Sequence, residues 1–169
     1  MKKVLSVFIT IIFLLAGCSK TSDKGYMDKA TENAKNENYS EALSSYEKLI
    51  EEYPDSKLAP EALVKEAALY HDNKVKNLSK EESIKKSAEI FKSVADKYPK
   101  SEQAPQSLFM AGFIYANELK DYDAATKVYQ LFLEKYPDNE LASSAKDELD
   151  NMGLTPEQIL KKKMETSQK

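Results

Sequence analysis

Residues 53–60 read Tyr-Pro-Asp-Ser-Lys-Leu-Ala-Pro, and the pattern within this stretch returns twice further along the chain. Tyr-Pro pairs stand at residues 53–54, 98–99 and 136–137, and an alanine follows each tyrosine by six positions. In the first two copies that alanine precedes a proline, Pro60 or Pro105. Proline disfavours the α conformation in the residue before it, but the first turn of a helix tolerates proline. Each Tyr-Pro pair therefore predicts a helix end, and each Ala-Pro pair predicts a helix start.

The residues before each Tyr-Pro pair repeat as well. Seven positions before the tyrosine stands an aromatic residue, and four positions before that stands a small one. The aromatic residues are Tyr46, Phe91 and Tyr129, and the small residues are Ala42, Ser87 and Ala125. Small side chains let two helices approach closely, whereas aromatic rings fill the space between one helix pair and the next. We expect the three aromatic rings to lie in the core.

The combined pattern resembles the tetratricopeptide repeat (TPR), in which aromatic, small and proline positions follow in a fixed order. The first copy has Tyr26, Ala30, Ala42, Tyr46 and Pro54; the second has Leu63, Ala67, Tyr70, Ser87, Phe91 and Pro99; the third has Leu108, Ala111, Gly112, Tyr115, Ala125, Tyr129 and Pro137. The resemblance covers residues 26–151. It implies an all-α fold, namely a TPR-like right-handed solenoid of antiparallel helix pairs with a C-terminal capping helix.

The pattern predicts helices near residues 25–37, 40–53, 57–74, 80–98, 102–119, 122–136 and 139–151, followed by a short helix from Thr155. Ser56 and Ser101 are expected N-caps, and Ser79 with Glu82 has the spacing of a capping box. Residues 72–77 are polar and predict a loop, which makes the second repeat about eight residues longer than the others. The helix at 139–151 is the expected cap, because a solenoid needs a polar outer face at its end.

The N-terminus carries a different signal. Lys2 and Lys3 precede an apolar run over residues 4–15, which is too short to span a bilayer and has the layout of a secretory signal. Leu15-Ala16-Gly17-Cys18 then resembles the lipobox of bacterial lipoproteins, which implies cleavage before Cys18 and lipidation of its thiol. The alternative is an ordinary signal peptide with a chance cysteine. The predicted organisation is a signal peptide at 1–17, lipidated Cys18 and a polar tether at 18–25, three repeats and a cap at 26–151, and a short helix with a polar tail at 152–169.

Composition narrows the function classes. The chain has 25 basic and 28 acidic residues and a net charge of −3, and all of its basic residues are lysine. Without arginine or a basic stripe, we expect no nucleic-acid binding. The single cysteine allows no disulfide within the chain, and the single histidine, His71, has no His or Cys partner at metal-ligand spacing. No nucleophile motif or Gly-rich loop is present. We therefore expect no enzyme, no cofactor and no metal site, and the oligomeric state stays open.

The first helices of stacked pairs line a concave groove, and such grooves bind extended peptides or helices of other proteins. The repeat register places seven residues toward it: Met27, Thr31, Val64, His71, Phe109, Phe113 and Asn117. Phe109 and Phe113 have two interpretations. They either pack against the neighbouring helix pair or form an anchor site for an apolar side chain of a partner.

Lipobox and repeats together resemble the lipoprotein of the outer-membrane β-barrel assembly machinery (BamD-like) and the periplasmic TPR protein of the Tol–Pal system. This resemblance implies a non-enzymatic, membrane-anchored scaffold that binds a protein or peptide in the cell envelope. The role would lie in outer-membrane protein assembly or in a Tol–Pal or cell-division adaptor, and a small-ligand-binding lipoprotein is a further alternative. By the same resemblance, Ser19 favours the periplasmic face of the outer membrane, with the outer face of the cytoplasmic membrane as the alternative.

Overall fold

The structure is a computed structural model that describes residues 20–166. Over this range the chain forms eight α-helices and no strand. They are α1 (Asp23–Lys35), α2 (Tyr39–Glu52), α3 (Ala59–His71), α4 (Lys80–Lys97), α5 (Gln103–Phe113), α6 (Tyr122–Lys135), α7 (Ala142–Asn151) and α8 (Pro156–Thr166), and a π-helical segment, Ile114–Glu118, continues α5. The predicted all-α fold is confirmed. The predicted helix ends agree with the observed ones to within about three residues, and the methods that assign helix ends differ among themselves by one or two.

The helices stack in consecutive pairs, α1 with α2, α3 with α4 and α5 with α6, and α7 packs on α6. The pairs are joined because α2 packs on α3 and α4 packs on α5, and α3 also contacts α5 directly. This arrangement is a TPR-like helical solenoid. It has two faces: the first-helix face, formed by α1, α3 and α5, and the second-helix face, formed by α2, α4 and α6.

The Tyr-Pro pairs end the second helix of each repeat as predicted. Tyr53, Tyr98 and Tyr136 are the C-cap residues of α2, α4 and α6, and each donates its backbone N–H to the carbonyl four residues earlier, at 2.8–2.9 Å. The following proline cannot continue this hydrogen-bond pattern because it has no N–H. Gly153 closes α7 with a φ of +78°, a conformation that glycine adopts without strain.

Helix starts were predicted less well. The capping box at α4 is confirmed, since the Glu82 N–H donates to the Ser79 hydroxyl and the Ser79 N–H donates to the Glu82 carboxylate. The N-caps expected at Ser56 and Ser101 are wrong, because a turn separates each serine from its helix. The Ser56 hydroxyl instead donates to Asp23 at 2.6 Å and accepts the Leu58 N–H. Asp23 also begins α1, so the helix starts inside the segment predicted as tether.

The aromatic positions between helix pairs lie in or beside the core. Tyr46 and Tyr129 are buried, as expected. Phe91 is only half-buried, although it packs against three of the hydrophobic clusters and so joins the second and third repeats. Gly112 faces the ring of Tyr129 so closely that an added Cβ would lie 2.8 Å from it. The small residue of the TPR pattern is therefore required at Gly112 for the helix contact.

Candidate functional site

The first-helix face is continuous between the second and third repeats. His71, the last residue of α3, has its Nε2 2.7 Å from Glu118 Oε1 in the π-helical segment. Its Nδ1 lies 3.7 Å from the Asp72 carboxylate. The C-terminal ends of the two first helices therefore meet at His71, which was predicted to lie in the groove. Within residues 20–166, no group of three or more His, Cys, Asp or Glu side chains is arranged to hold a metal ion.

The π-helical segment was not predicted. In it Leu119 donates its N–H to the carbonyl of Ile114, five residues earlier, at 3.0 Å. A single π turn widens the helix and shifts the side chains that follow it, and such turns are frequent at functional sites. Here the turn leaves Asn117 exposed and buries Ala116. A register extrapolated from an ideal α-helix is therefore shifted after Phe113.

The other predicted groove residues divide into accessible and packed ones. Thr31, Phe113 and Asn117 are exposed, and Phe113 has 37 % of its surface accessible. Met27 is buried in the N-terminal core, and Val64 is half-buried against the cluster between α3 and α4. These two residues contribute little surface that a partner could reach.

Phe109 packs inward. Its ring lies 5.5 Å from that of Tyr129 and 6.0 Å from that of Phe132, both in edge-on arrangements that are favourable for aromatic pairs. Of the two interpretations given above, this geometry favours the core contact for Phe109. Phe113 remains accessible on the surface, four residues later on the same helix.

A first cleft, of about 450 Å³, lies at the C-terminal end of the described chain. It is formed by the end of the π-helical segment, the start of α6, α7, the turn after α7 and the start of α8. Asn117 lines it, together with the half-exposed ring of Tyr122 and with Leu154. This cleft joins one predicted groove residue to apolar surface that no sequence feature had indicated.

A second cleft, of about 560 Å³, opens on the second-helix face, where no site was predicted. Its walls are α2 and α4 and its floor is α3. The lining residues are Glu47, Ile50 and Glu51 from α2, Leu63 and Glu66 from α3, and Lys86, Glu89, Ile90, Ser93 and Lys97 from α4. We call this the α2–α4 cleft.

The floor of the α2–α4 cleft contains a buried carboxyl group. Glu66 is only 8 % exposed. Burial and, to a smaller extent, the negative charge of Glu47 together raise its pKa to about 7, against the opposing effect of Lys86 and Lys97. A signal in the sequence could have revealed it, because Glu66 stands at the repeat position that Ala111 occupies in the third copy. A glutamate is unusual at a core position where the repeat pattern has a small apolar residue.

Comparison with known families agrees with this architecture. The family model described as tetratricopeptide repeat matches residues 29–56 and residues 106–139. These segments cover parts of the first and third pairs, while α3 and α4 repeat the same helix pairing between them. The chain is thus a helical-repeat protein that contains TPR repeats, a fold that typically forms scaffolds for protein–protein interaction. A comparison with curated proteins found no match.

Several predictions concern residues outside the described range. The signal peptide, the lipidation of Cys18 and the sorting role of Ser19 all fall on residues 1–19. Across the described part of the chain, no helix combines the length and the apolar character that crossing a membrane would require.

Proposed function

We propose that this chain is a non-enzymatic scaffold, anchored to a membrane through Cys18, that holds a protein or an extended peptide in the cell envelope. The observation that carries the proposal is that the first-helix face is continuous from the second repeat to the third, where His71 contacts Glu118. A partner lying along this face meets Thr31, His71, Phe113 and Asn117. Phe113 supplies an accessible aromatic ring, and aromatic residues are enriched at the cores of protein interfaces.

A protein partner suits this surface better than a small ligand does. A small-molecule site is usually a concavity that encloses most of its ligand. The cleft beside Asn117 and the α2–α4 cleft are both broad and open to solvent. A small-ligand lipoprotein therefore stays the weaker alternative, and the scaffold role agrees with the TPR matches.

The anchor sets where the scaffold works. Two or three acyl chains anchor a protein stably on a membrane, because each buried methylene contributes about 0.8 kcal/mol. Since α1 begins at Asp23, residues 19–22 separate it from Cys18, and the five steps from Cys18 to Asp23 reach roughly 17 Å at most. The first helix pair would thus lie close to the membrane surface. We propose the periplasmic face of the outer membrane and a role in outer-membrane protein assembly, with a Tol–Pal or cell-division adaptor as the alternative.

The anchor is tested by replacing Cys18 with alanine and separating the membranes from the soluble fraction. The wild-type chain should be found in the membrane fraction, with its N-terminal mass increased by lipid. The variant should lose that lipid mass. A Cys18→Ala chain that shows the same mass and stays membrane-bound would refute the anchor, and leave the scaffold itself untouched.

The groove is tested by placing a photocrosslinking residue at Phe113 or Asn117 in native membranes and identifying the adducts by mass spectrometry. Gln130, exposed on α6, is a matched control on the second-helix face. We expect a discrete adduct from the first two positions and not from the third. Phe113→Ser should then weaken capture of that partner without lowering the melting temperature, whereas Phe109→Ser should lower the melting temperature. Equal adducts from all three positions would contradict the groove assignment.

A further inference from the structure

We propose that the α2–α4 cleft is a second docking site, which receives a lysine or arginine side chain of a partner protein and pairs it with the carboxyl group of Glu66. The site lies on the face opposite the groove, and it depends on neither the membrane anchor nor the first-helix face. It shares with the proposed function the premise that the chain binds a protein.

Among residues 20–166, the charges of Lys86 and Lys97 act on the carboxyl group of Glu66, but neither lysine pairs with it directly. Glu66 is more than nine-tenths buried, and it makes no hydrogen bond or ion pair with any residue of the described chain. Burying a carboxylate without a partner is costly. The fold does not require this cost, since the third repeat has the fully buried Ala111 at the same position. A carboxyl group that weakens the fold and lines a cleft is best explained by a ligand that enters the cleft.

The charge around the cleft favours a cation. Three further carboxylates line it, from Glu47, Glu51 and Glu89, against the ammonium groups of Lys86 and Lys97. No ion pair within 4.0 Å joins either lysine to Glu66 in the described structure. The carboxylates are not arranged as a metal site among residues 20–166. An organic cation is therefore the complementary ligand.

The walls favour a cation at the end of an apolar chain. Ile50, Leu63 and Ile90 line the cleft together with the charged groups. Lysine and arginine side chains pack their methylene groups along apolar surface and leave the charged end to find a polar partner. In this cleft the methylenes would contact the three apolar residues, and the charge would meet Glu66 at the floor.

The equivalent position between α4 and α6 is closed by the protein itself. There Lys135 lies 3.5 Å from Asp96 and donates to the carbonyl of Ala95 at 3.4 Å. Lys97 and Glu51 occupy the corresponding repeat positions at the α2–α4 cleft, and no ion pair joins them in the part of the chain that the structure describes. A cation supplied by the protein thus closes one junction, and the other junction remains open to a cation from outside.

Binding at this cleft should strengthen as the pH rises. With a pKa of about 7, Glu66 is partly protonated at neutral pH, and only its ionised form attracts a cation strongly. The charged and titratable groups around it are Glu47 and Glu51 on α2, Tyr70 on α3, and Lys86, Glu89 and Lys97 on α4. Binding should therefore be tighter at pH 8 than at pH 6.

The test uses the full chain in detergent micelles, with labelled isoleucine and leucine methyl groups and labelled glutamate carboxyl carbons. The probe is the peptide acetyl-Gly-Ser-Arg-Ser-Gly-amide, and the control peptide has citrulline, a neutral isostere, in place of arginine. We expect the arginine peptide to shift the methyl signals of Ile50, Leu63 and Ile90 and to lower the pKa of Glu66. The citrulline peptide should bind about tenfold more weakly, because its neutral ureido group still donates hydrogen bonds but lacks the positive charge that strengthens them toward a carboxylate.

Variants separate the floor of the cleft from its rim. Glu66→Gln should weaken binding of the arginine peptide about tenfold, whereas Glu89→Gln at the exposed rim should change it by less than about twofold. The proposal would be overturned if the two peptides bound equally tightly, or if the arginine peptide bound Glu66→Gln as tightly as the wild-type chain. It would also be overturned if about 10 mM arginine peptide shifted no methyl signal, since even a very weak affinity would give a shift at that concentration. Methyl shifts that depend on protein concentration alone would assign the cleft to a second copy of the chain and would overturn it too. If Glu66→Gln does not fold, the pKa of Glu66 is measured in the wild-type chain with and without the arginine peptide. A lower pKa with the peptide supports the proposal, and an unchanged pKa overturns it. None of these results bears on the anchor or the groove.

Discussion

Two equivalent junctions lie on the second-helix face, one between α2 and α4 across α3 and the other between α4 and α6 across α5. The second junction is filled: Phe109, Tyr129 and Phe132 stack edge to face, and the cluster extends from α4 to α7. The first junction has Val64 at the position of Phe109, and the cleft with Glu66 at its floor remains. The repeat pattern thus specifies the backbone arrangement of a junction, and the residues between the pattern positions decide whether it is core or site.

The largest difference between the junctions should be in stability. Phe132→Ala removes a fully buried ring from the filled junction and should cost about 3–5 kcal/mol. Phe91→Ala removes a half-buried ring and should cost less. Urea unfolding followed by circular dichroism measures both. Because solenoid repeats support their neighbours, the Phe132 variant should also loosen α7. Equal losses from the two variants would mean that the filled junction is no better packed than the open one.

The second difference is in pH dependence. The pKa of Glu66 is raised from 4.5 in the unfolded chain to about 7 in the folded one, so the folded state binds more protons between these values. Stability should therefore fall as the pH rises from 4.5 to 7, by up to roughly 3 kcal/mol from this group. Below pH 4.5 the loss is absent, and above pH 7 it is complete. Glu66→Gln should lack this loss, so wild type and variant should differ most at pH 8. Parallel stability curves from pH 4 to pH 8 would contradict the raised pKa.

A third comparison exchanges the small residues of the two junctions. Gly112→Ala places a Cβ 2.8 Å from the ring of Tyr129 and should cost about 2 kcal/mol through overpacking. The equivalent residue of the second repeat is Ala67, and Ala67→Gly should cost about 1 kcal/mol through lost helix propensity. Thermal melts of the two variants test this. The prediction fails if Gly112→Ala raises the melting temperature, as alanine does at an unconstrained helix position.

The smallest difference should come from the surface lysines. Lys135→Met breaks the ion pair with Asp96 and should cost at most about 1 kcal/mol, since the pair is partly exposed. That cost should shrink in high salt. Lys97→Met, at the equivalent position of the open junction, removes no ion pair found in the described structure, only a longer-range attraction to Glu66, and should cost less. Denaturant midpoints at low and high salt measure the stability of both variants. Equal losses from the two substitutions would contradict the idea that an ion pair closes one junction and not the other.

The order of the helices could be predicted because its determinants are local. Pro54, Pro99 and Pro137 end helices by removing a hydrogen-bond donor, and Ser79 with Glu82 starts one through contacts three residues apart. Ser56 and Ser101 show the limit of local reasoning. Their residue type suits an N-cap, but the chain makes a further turn before the helix begins.

The sites were less predictable. Of the seven predicted groove residues, Thr31, His71, Phe113 and Asn117 lie at accessible positions, and Phe109 packs inward against α6. The α2–α4 cleft was missed because its walls come from helices that are distant in sequence. Lipidation at Cys18 stays a prediction.

The sequence by itself determined the all-α fold, the succession of helix pairs and the close contact at Gly112, since each follows from residue type and spacing along one or two neighbouring helices. Only the tertiary structure decided that Glu66 is buried, that Phe91 is half-exposed, and that His71 meets Glu118 across two repeats. The physical reason is that burial and electrostatic environment depend on every element packed around a side chain. For Glu66 those elements are α2 and α4, whose side chains reach it only after the repeats have stacked.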